Sequence, residues 1–203
     1  NYCIYERNRS MINSDTPMTL AETASIMCET IVTDAAIKVA ADKQEELAIL
    51  ETALISDSQV VVDIYSRYLF ETEVFNRRAK AELSADEFNE VMEWAQAETY
   101  GDGLDANYRQ KFMWTWKPHY YIPELAFYNY PYTFGQLFGT GLFAIYQQRG
   151  EEFVADYKDL LSSTGLGTAA ELAARFDIDL HSPDFWDGSI KVIAERVERY
   201  ANL

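Results

Sequence analysis

The chain has 203 residues with 33 Asp and Glu against 17 Lys and Arg, giving a formal charge of −16. That balance argues against nucleic acid as a partner, because phosphate binding needs clustered basic residues, and an anionic membrane would repel it too. Hydrophobic residues at 48% and charged residues at 25% are ordinary for a globular protein able to bury one core, and no apolar run approaches the roughly 20 residues of a membrane span. Cys3 and Cys28 are too few for a disulfide framework. No signal-peptide pattern opens the sequence, so a cytoplasmic location is the expectation.

Residues 1–15 mix aromatic and charged side chains without a sustained period and read as the end of an interrupted element. Thr16 offers an N-cap oxygen and Pro17 suits a first turn, so a helix is predicted from there to about Ala41. Within it Glu22 and Glu29 lie two turns apart on one face. Their neighbours at three and four residues, among them Met18, Thr19, Ser25, Ile26, Val32 and Thr33, include no basic group. A buried carboxylate there needs a partner from elsewhere or a bound cation; the other readings are a solvent-facing surface or an arginine from another helix. Cys28, in the same apolar stretch, reads as an inert small hydrophobe.

Residues 42–80 form one long or broken helix, with the break at Ser56 to Ser58, and Arg77, Arg78 and Lys80 suit its C-terminal end. Ser84 with Glu87 makes a capping box for a helix ending at Gly101, whose apolar face is Phe88, Val91, Met92 and Ala95 with Trp94 to one side. Residues 101–108 are a turn-rich loop without a calcium-loop pattern. Pro118 disfavours helix at Lys117, which puts His119 on a loop. A helix follows from about Glu124 to Gln148, kinked or interrupted by Pro131. Gly135, Gly139 and Gly141 within it permit close approach, of a helix or of a peptide backbone. The tail reads as a helix ending at Gly165, a second capping box at Thr168 and Glu171, and a turn at Ser182 and Pro183 leading to a last helix with apolar Ile190, Ile193, Val197 and Tyr200. His181 reads as exposed or capping. No strand pattern is strong, so the fold class is all-α, a bundle of about seven helices in one domain over 1–203.

The densest chemistry lies between His119 and Phe143, where one of the two histidines is followed by Tyr120, Tyr121, Tyr128, Tyr130 and Tyr132 among phenylalanines. A buried phenol needs a hydrogen-bond partner, so tyrosines beside a histidine point to a half-wet cleft. The plainer alternative is an aromatic helix packed on the core with its hydroxyls at the rim.

The His119-x-Tyr121 element and the FYNYPY run at Phe127 to Tyr132 resemble the signature of the oligoendopeptidase F branch of the thimet oligopeptidase family, which are zinc peptidases. PMTLAETAS, Pro17 to Ser25, resembles the family segment that supplies the third zinc ligand, and AELAARFDIDLHSPDFW, Ala170 to Trp186, resembles its tail. The resemblance implies that Glu22 is a metal ligand for zinc, that Glu29 is a carboxylate orienting a zinc-bound histidine, and that His119 with Tyr130, Tyr121 or Tyr128 stabilises an oxyanion. Oligopeptides would be the substrates. The helices would form one wall of a deep channel.

One departure qualifies this. The family's His-Glu-x-x-His motif is absent, since the histidines are only His119 and His181 and neither is followed by a glutamate at the right place. The family's spacing puts that motif upstream of Asn1, so the chain is expected to be the C-terminal part of a catalytic domain, with the rest of that domain as a partner and no activity alone. The alternatives are a non-catalytic helical module that binds peptides or a protein partner through the aromatic groove, and a purely structural helical domain.

Overall fold

The structure is a computed structural model that describes residues 16–203. The reading of residues 1–15, and Cys3 with it, lies outside the described residues. The described residues form eight α-helices and several single turns, with no strand among them. In chain order the helices are α1 (Thr23–Val39), α2 (Lys43–Ser58), α3 (Ile64–Arg78), α4 (Ala85–Tyr100), α5 (Tyr130–Arg149), α6 (Glu152–Ser163), α7 (Ala169–Ala174) and α8 (Pro183–Ala201). They fall into two compact units, one built from residues up to Ile55 together with Phe134–Leu203, the other from Ser56–Thr133.

The first unit buries Leu20, Met27, Phe138, Leu142, Phe153, Leu160, Leu172, Ala173 and Ile178. Phe138 and Leu142 are wholly inaccessible, each contributing about 1.5–3 kcal/mol of burial. The glycines of α5 explain how its neighbours come so near. A Cβ on Gly139 would stand 3.2 Å from the Met27 nitrogen of α1, and one on Gly141 would overlap the Phe185 ring and stand 2.6 Å from Ser189 Oγ of α8. Both are filled by helix packing, not by open space for a peptide.

The second unit centres on Phe70, Val91, Met92 and Ala95, with Phe88, Trp114 and Tyr120 packed against them. Its α4 begins and ends as the sequence predicts. Ser84 Oγ accepts the Glu87 N–H while the Glu87 carboxylate accepts the Ser84 N–H at 2.8 Å, and Gly101 takes φ +54° after the last turn. The break predicted at Ser56 to Ser58 does not occur there: those residues stay α-helical and the irregularity is a π-helical turn over Gln59–Asp63, to whose Val60 carbonyl Thr133 Oγ1 donates at 2.9 Å.

Several expectations are corrected. Pro17 is extended at ψ 138° and leads into a single 3-10 turn, Met18–Leu20, so α1 starts at Thr23 and Thr16 does not cap it. The helix predicted from Glu124 starts only at Tyr130, and Pro131 therefore sits in its first turn, where a missing N–H costs nothing and makes no kink. Ser182 and Pro183 open α8 itself, Ser182 Oγ accepting the Asp184 N–H at 3.2 Å. Ile190 and Val197 of α8 are each 50% exposed, because Phe185, Trp186 and Ser189 make the packed face instead. Cys28, read as a small hydrophobe of an apolar stretch, is exposed. His181 is exposed as expected.

Candidate functional site

His119 lies in a 3-10 turn, Pro118–Tyr121, that α4 holds in place. Gln96 exchanges two bonds with the Gln110 backbone, at 3.0 and 2.8 Å, and the Trp114 indole donates to Asn89 at 2.9 Å. The Tyr120 ring then packs on Phe70 at 5.3 Å and meets the His119 ring edge-on at 4.4 Å. His119 is buried to 8% exposure.

The path of the chain beyond this turn is set by Phe127, a non-glycine residue at φ +57°. That conformation is costly for a side chain bearing a Cβ and persists only where the surroundings hold it. Here the buried Glu71 of α3 accepts the Phe127 N–H at 2.9 Å, and the ring is clasped by Tyr68 and Phe75, each at 5.5 Å. The reversal delivers Tyr128 and Asn129 to His119. Tyr128 lies 5.7 Å from the histidine ring, and Asn129 Nδ2 lies 2.7 Å from its Nε2.

A buried polar chain continues from there. Arg67 donates to Asn129 Oδ1 at 3.4 Å and to Asp63, whose other oxygen accepts the Tyr100 hydroxyl at 2.8 Å. Burial and that bond push the Tyr100 phenol up, out of reach of ionisation. Burial, then the charges of Arg67 and Lys117, hold His119 below the usual histidine range, so its ring is neutral at pH 7. Burial raises the Glu71 carboxyl, partly offset by the Phe127 N–H. Asn129, Arg67, Asp63, Tyr100 and Glu71 were not singled out in the sequence. The local signal was the spacing Asp63, Arg67, Glu71, charged residues of alternating sign at every fourth position on one face of a helix.

The predicted site residues are only partly gathered. Tyr128 joins His119, and its hydroxyl lies 3.2 Å from that of Tyr132. Tyr121 is 60% exposed and donates to the Trp114 carbonyl at 3.2 Å. Tyr130 is 42% exposed at the start of α5. A cavity of about 650 Å³ opens beside His119, walled by Phe70, Val74, Phe88, Trp114, Tyr120 and Ile122, with Glu71 the buried acid in its wall.

Glu22 belongs to the first unit, at the residue that caps α1. It is half-buried and its Oε2 accepts the Ser25 hydroxyl at 3.0 Å. Among the described residues no basic side chain pairs with it. No three of His, Cys, Asp and Glu gather for a metal among those residues, so Glu22 has no companion ligands there. Glu29 is exposed.

Eight helices without a strand among the described residues make the fold all-α, and its second unit carries a buried histidine beside phenols and an apolar cavity. The model of peptidase family M3 matches residues 4–192, and the chain belongs to that family. The chromosomal oligoendopeptidase F of Lactococcus lactis subsp. cremoris is 26% identical over 200 residues, covering 97% of this chain and 32% of that protein. An oligoendopeptidase F homolog of Lactococcus lactis subsp. lactis (strain IL1403) is 24% identical over 197 residues, with the same coverage of 97% and 32%. The chain thus spans about a third of the length of these relatives. A crystal structure of a candidate peptidase from Chlamydophila abortus superposes with TM-score 0.85 at 19% identity, covering 99% of this chain and 33% of that one, which establishes the shared fold. No helix among the described residues is long and apolar enough to cross a membrane.

Proposed function

We propose that this chain serves as the C-terminal part of a zinc-dependent endopeptidase that cleaves internal bonds of short peptides. What carries the reading is His119, buried, neutral and beside the Tyr128 phenol, in a chain of peptidase family M3. Two zinc ligands and the general base must come from a His-Glu-x-x-His motif that this sequence lacks. Glu22 supplies the third ligand and Ser25 holds its free rotation in check. Glu29 orients a ligand histidine. Bound zinc supplies Lewis acidity toward the scissile carbonyl and makes water more acidic.

His119 and a phenol, Tyr130 first and Tyr121 or Tyr128 beside it, donate hydrogen bonds to the oxygen on which negative charge develops. The apolar cavity beside His119 receives an aromatic or branched side chain of the peptide. The same cavity favours a second reading, a non-catalytic module that binds apolar peptides. Measurement of zinc content and of turnover of a quenched peptide by the intact protein separates the two. Glu22→Gln is expected to lose zinc or nearly all activity, and Glu29→Gln to lose about ten- to a hundredfold. Binding without turnover in the zinc-loaded wild type selects the module, and wild-type metal content in the Glu22 variant removes the ligand assignment.

A further inference from the structure

Arg67 has only donors to offer, so the atom of Asn129 that it meets at 3.4 Å is the carboxamide oxygen. That fixes which way the amide points. The other end, Nδ2, is then an NH2 group 2.7 Å from His119 Nε2, and because it only donates, Nε2 must accept and carries no proton. On a neutral ring the single proton is left on Nδ1. Arg67 cannot easily turn to relax this order, since it is buried and paired with Asp63, which the Tyr100 hydroxyl holds from the other side.

We propose that Asn129 is a positioning residue that holds His119 in the Nδ1–H tautomer, making Nδ1 the atom that donates to the carbonyl oxygen of a bound peptide. The proposal rests on the reading of His119 as a substrate donor. It adds which nitrogen acts and what fixes it. The groups facing the ring agree with a neutral donor: Arg67 and Lys117 disfavour a second proton, and the rings of Tyr120 and Tyr128 flank it.

The test is 15N spectroscopy of the intact protein labelled at the imidazole nitrogens, with His119→Gln to assign the signal. In the wild type at neutral pH, the proton is expected on Nδ1 with Nε2 bare. Asn129→Asp keeps the shape but leaves only acceptors, so the proton should move to Nε2 and the ring should titrate at higher pH. The same variant should lose roughly a hundredfold in kcat with KM changed by less than about threefold, the scale of one lost oxyanion donor. A structural asparagine would lower stability without moving the proton. Protonated Nε2 in the wild type, or an unchanged tautomer in Asn129→Asp, overturns the proposal, and the wild-type spectrum decides even if the variant fails to fold. A tautomer that moves while kcat holds leaves Asn129 in control of the ring and overturns the donor role of His119.

Discussion

Gly135 of α5 lies against Glu22 so closely that a Cβ added to it would stand 2.8 Å from the Cβ of the glutamate. The missing side chain therefore leaves the room that the Glu22 Cβ occupies. Gly135→Ala should cost about 1–3 kcal/mol of stability through overpacking. In the intact protein it should also weaken zinc binding about tenfold or more, if ligand placement is what it disturbs. Gly139→Ala, which presses on Ile26 and the α1 backbone one turn further on, is the control for packing alone. Equal metal content in the two variants at equal loss of stability counts against Glu22 as a ligand.

Tyr130→Phe removes one oxygen and little volume. If its phenol donates to the oxyanion, melting should stay within about a degree while turnover falls roughly a hundredfold. A packing tyrosine behaves oppositely, losing about 1 kcal/mol with its hydrogen bond and leaving turnover alone. Tyr121→Phe and Tyr128→Phe belong in the same series, because Tyr121 is engaged with the Trp114 carbonyl and Tyr128 with Tyr132. Three variants with unchanged turnover would end the catalytic reading of these phenols.

His119 is held below its ordinary value by burial, Arg67 and Lys117, so folding favours the neutral ring. Its contribution to stability is complete above about pH 6.5, the unfolded value, and is lost as pH falls through the folded one. The acid limb of activity should follow the same titration. Lys117→Met removes one of the two charges, so that limb should move to higher pH, measured as kcat/KM against pH. An acid limb unmoved by this substitution would show that His119 does not set it.

Glu71 has the opposite sign. Burial raises its carboxyl, so the folded state holds the proton longer, and stability falls as pH rises from the unfolded value of about 4.3 through the raised one. Glu71→Gln keeps an acceptor for the Phe127 N–H without a buried charge and should melt higher at pH 7, the gain fading below the carboxylate range. Glu71→Ala leaves that N–H unanswered beneath a left-handed Phe127 and should cost about 1–3 kcal/mol. Thermal melts of both variants across pH decide it.

The sequence announced what is local. Ser84 with Glu87, Thr168 with Glu171 and the glycines at 101 and 165 write their caps within a few residues, and each forms as read. Family membership and the all-α class were legible from the motif islands. Asn129 and Arg67 were not, because their bond spans 62 residues and depends on a reversal at a phenylalanine that no propensity assigns to positive φ. That reversal also explains the misplaced start of α5: Pro131 reads as a kink only if the helix already runs before it. The exposure of Ile190 and Val197 escaped for a different reason, since periodicity finds an apolar face without saying whether anything covers it.

The first unit is made from two stretches of chain between which the whole of Ser56–Thr133 intervenes, while the second is continuous. A continuous unit can assemble from near neighbours, whereas a divided one must first bring distant stretches together and bear the entropy of closing that loop. On this ground the Arg199–Glu46 bond, between partners 153 residues apart, is expected to form late. In refolding, trimming Met92 of the continuous unit should slow the early phase. Trimming Phe138, whose partners come from both stretches, should chiefly quicken unfolding, so the order of assembly follows from how the chain is threaded.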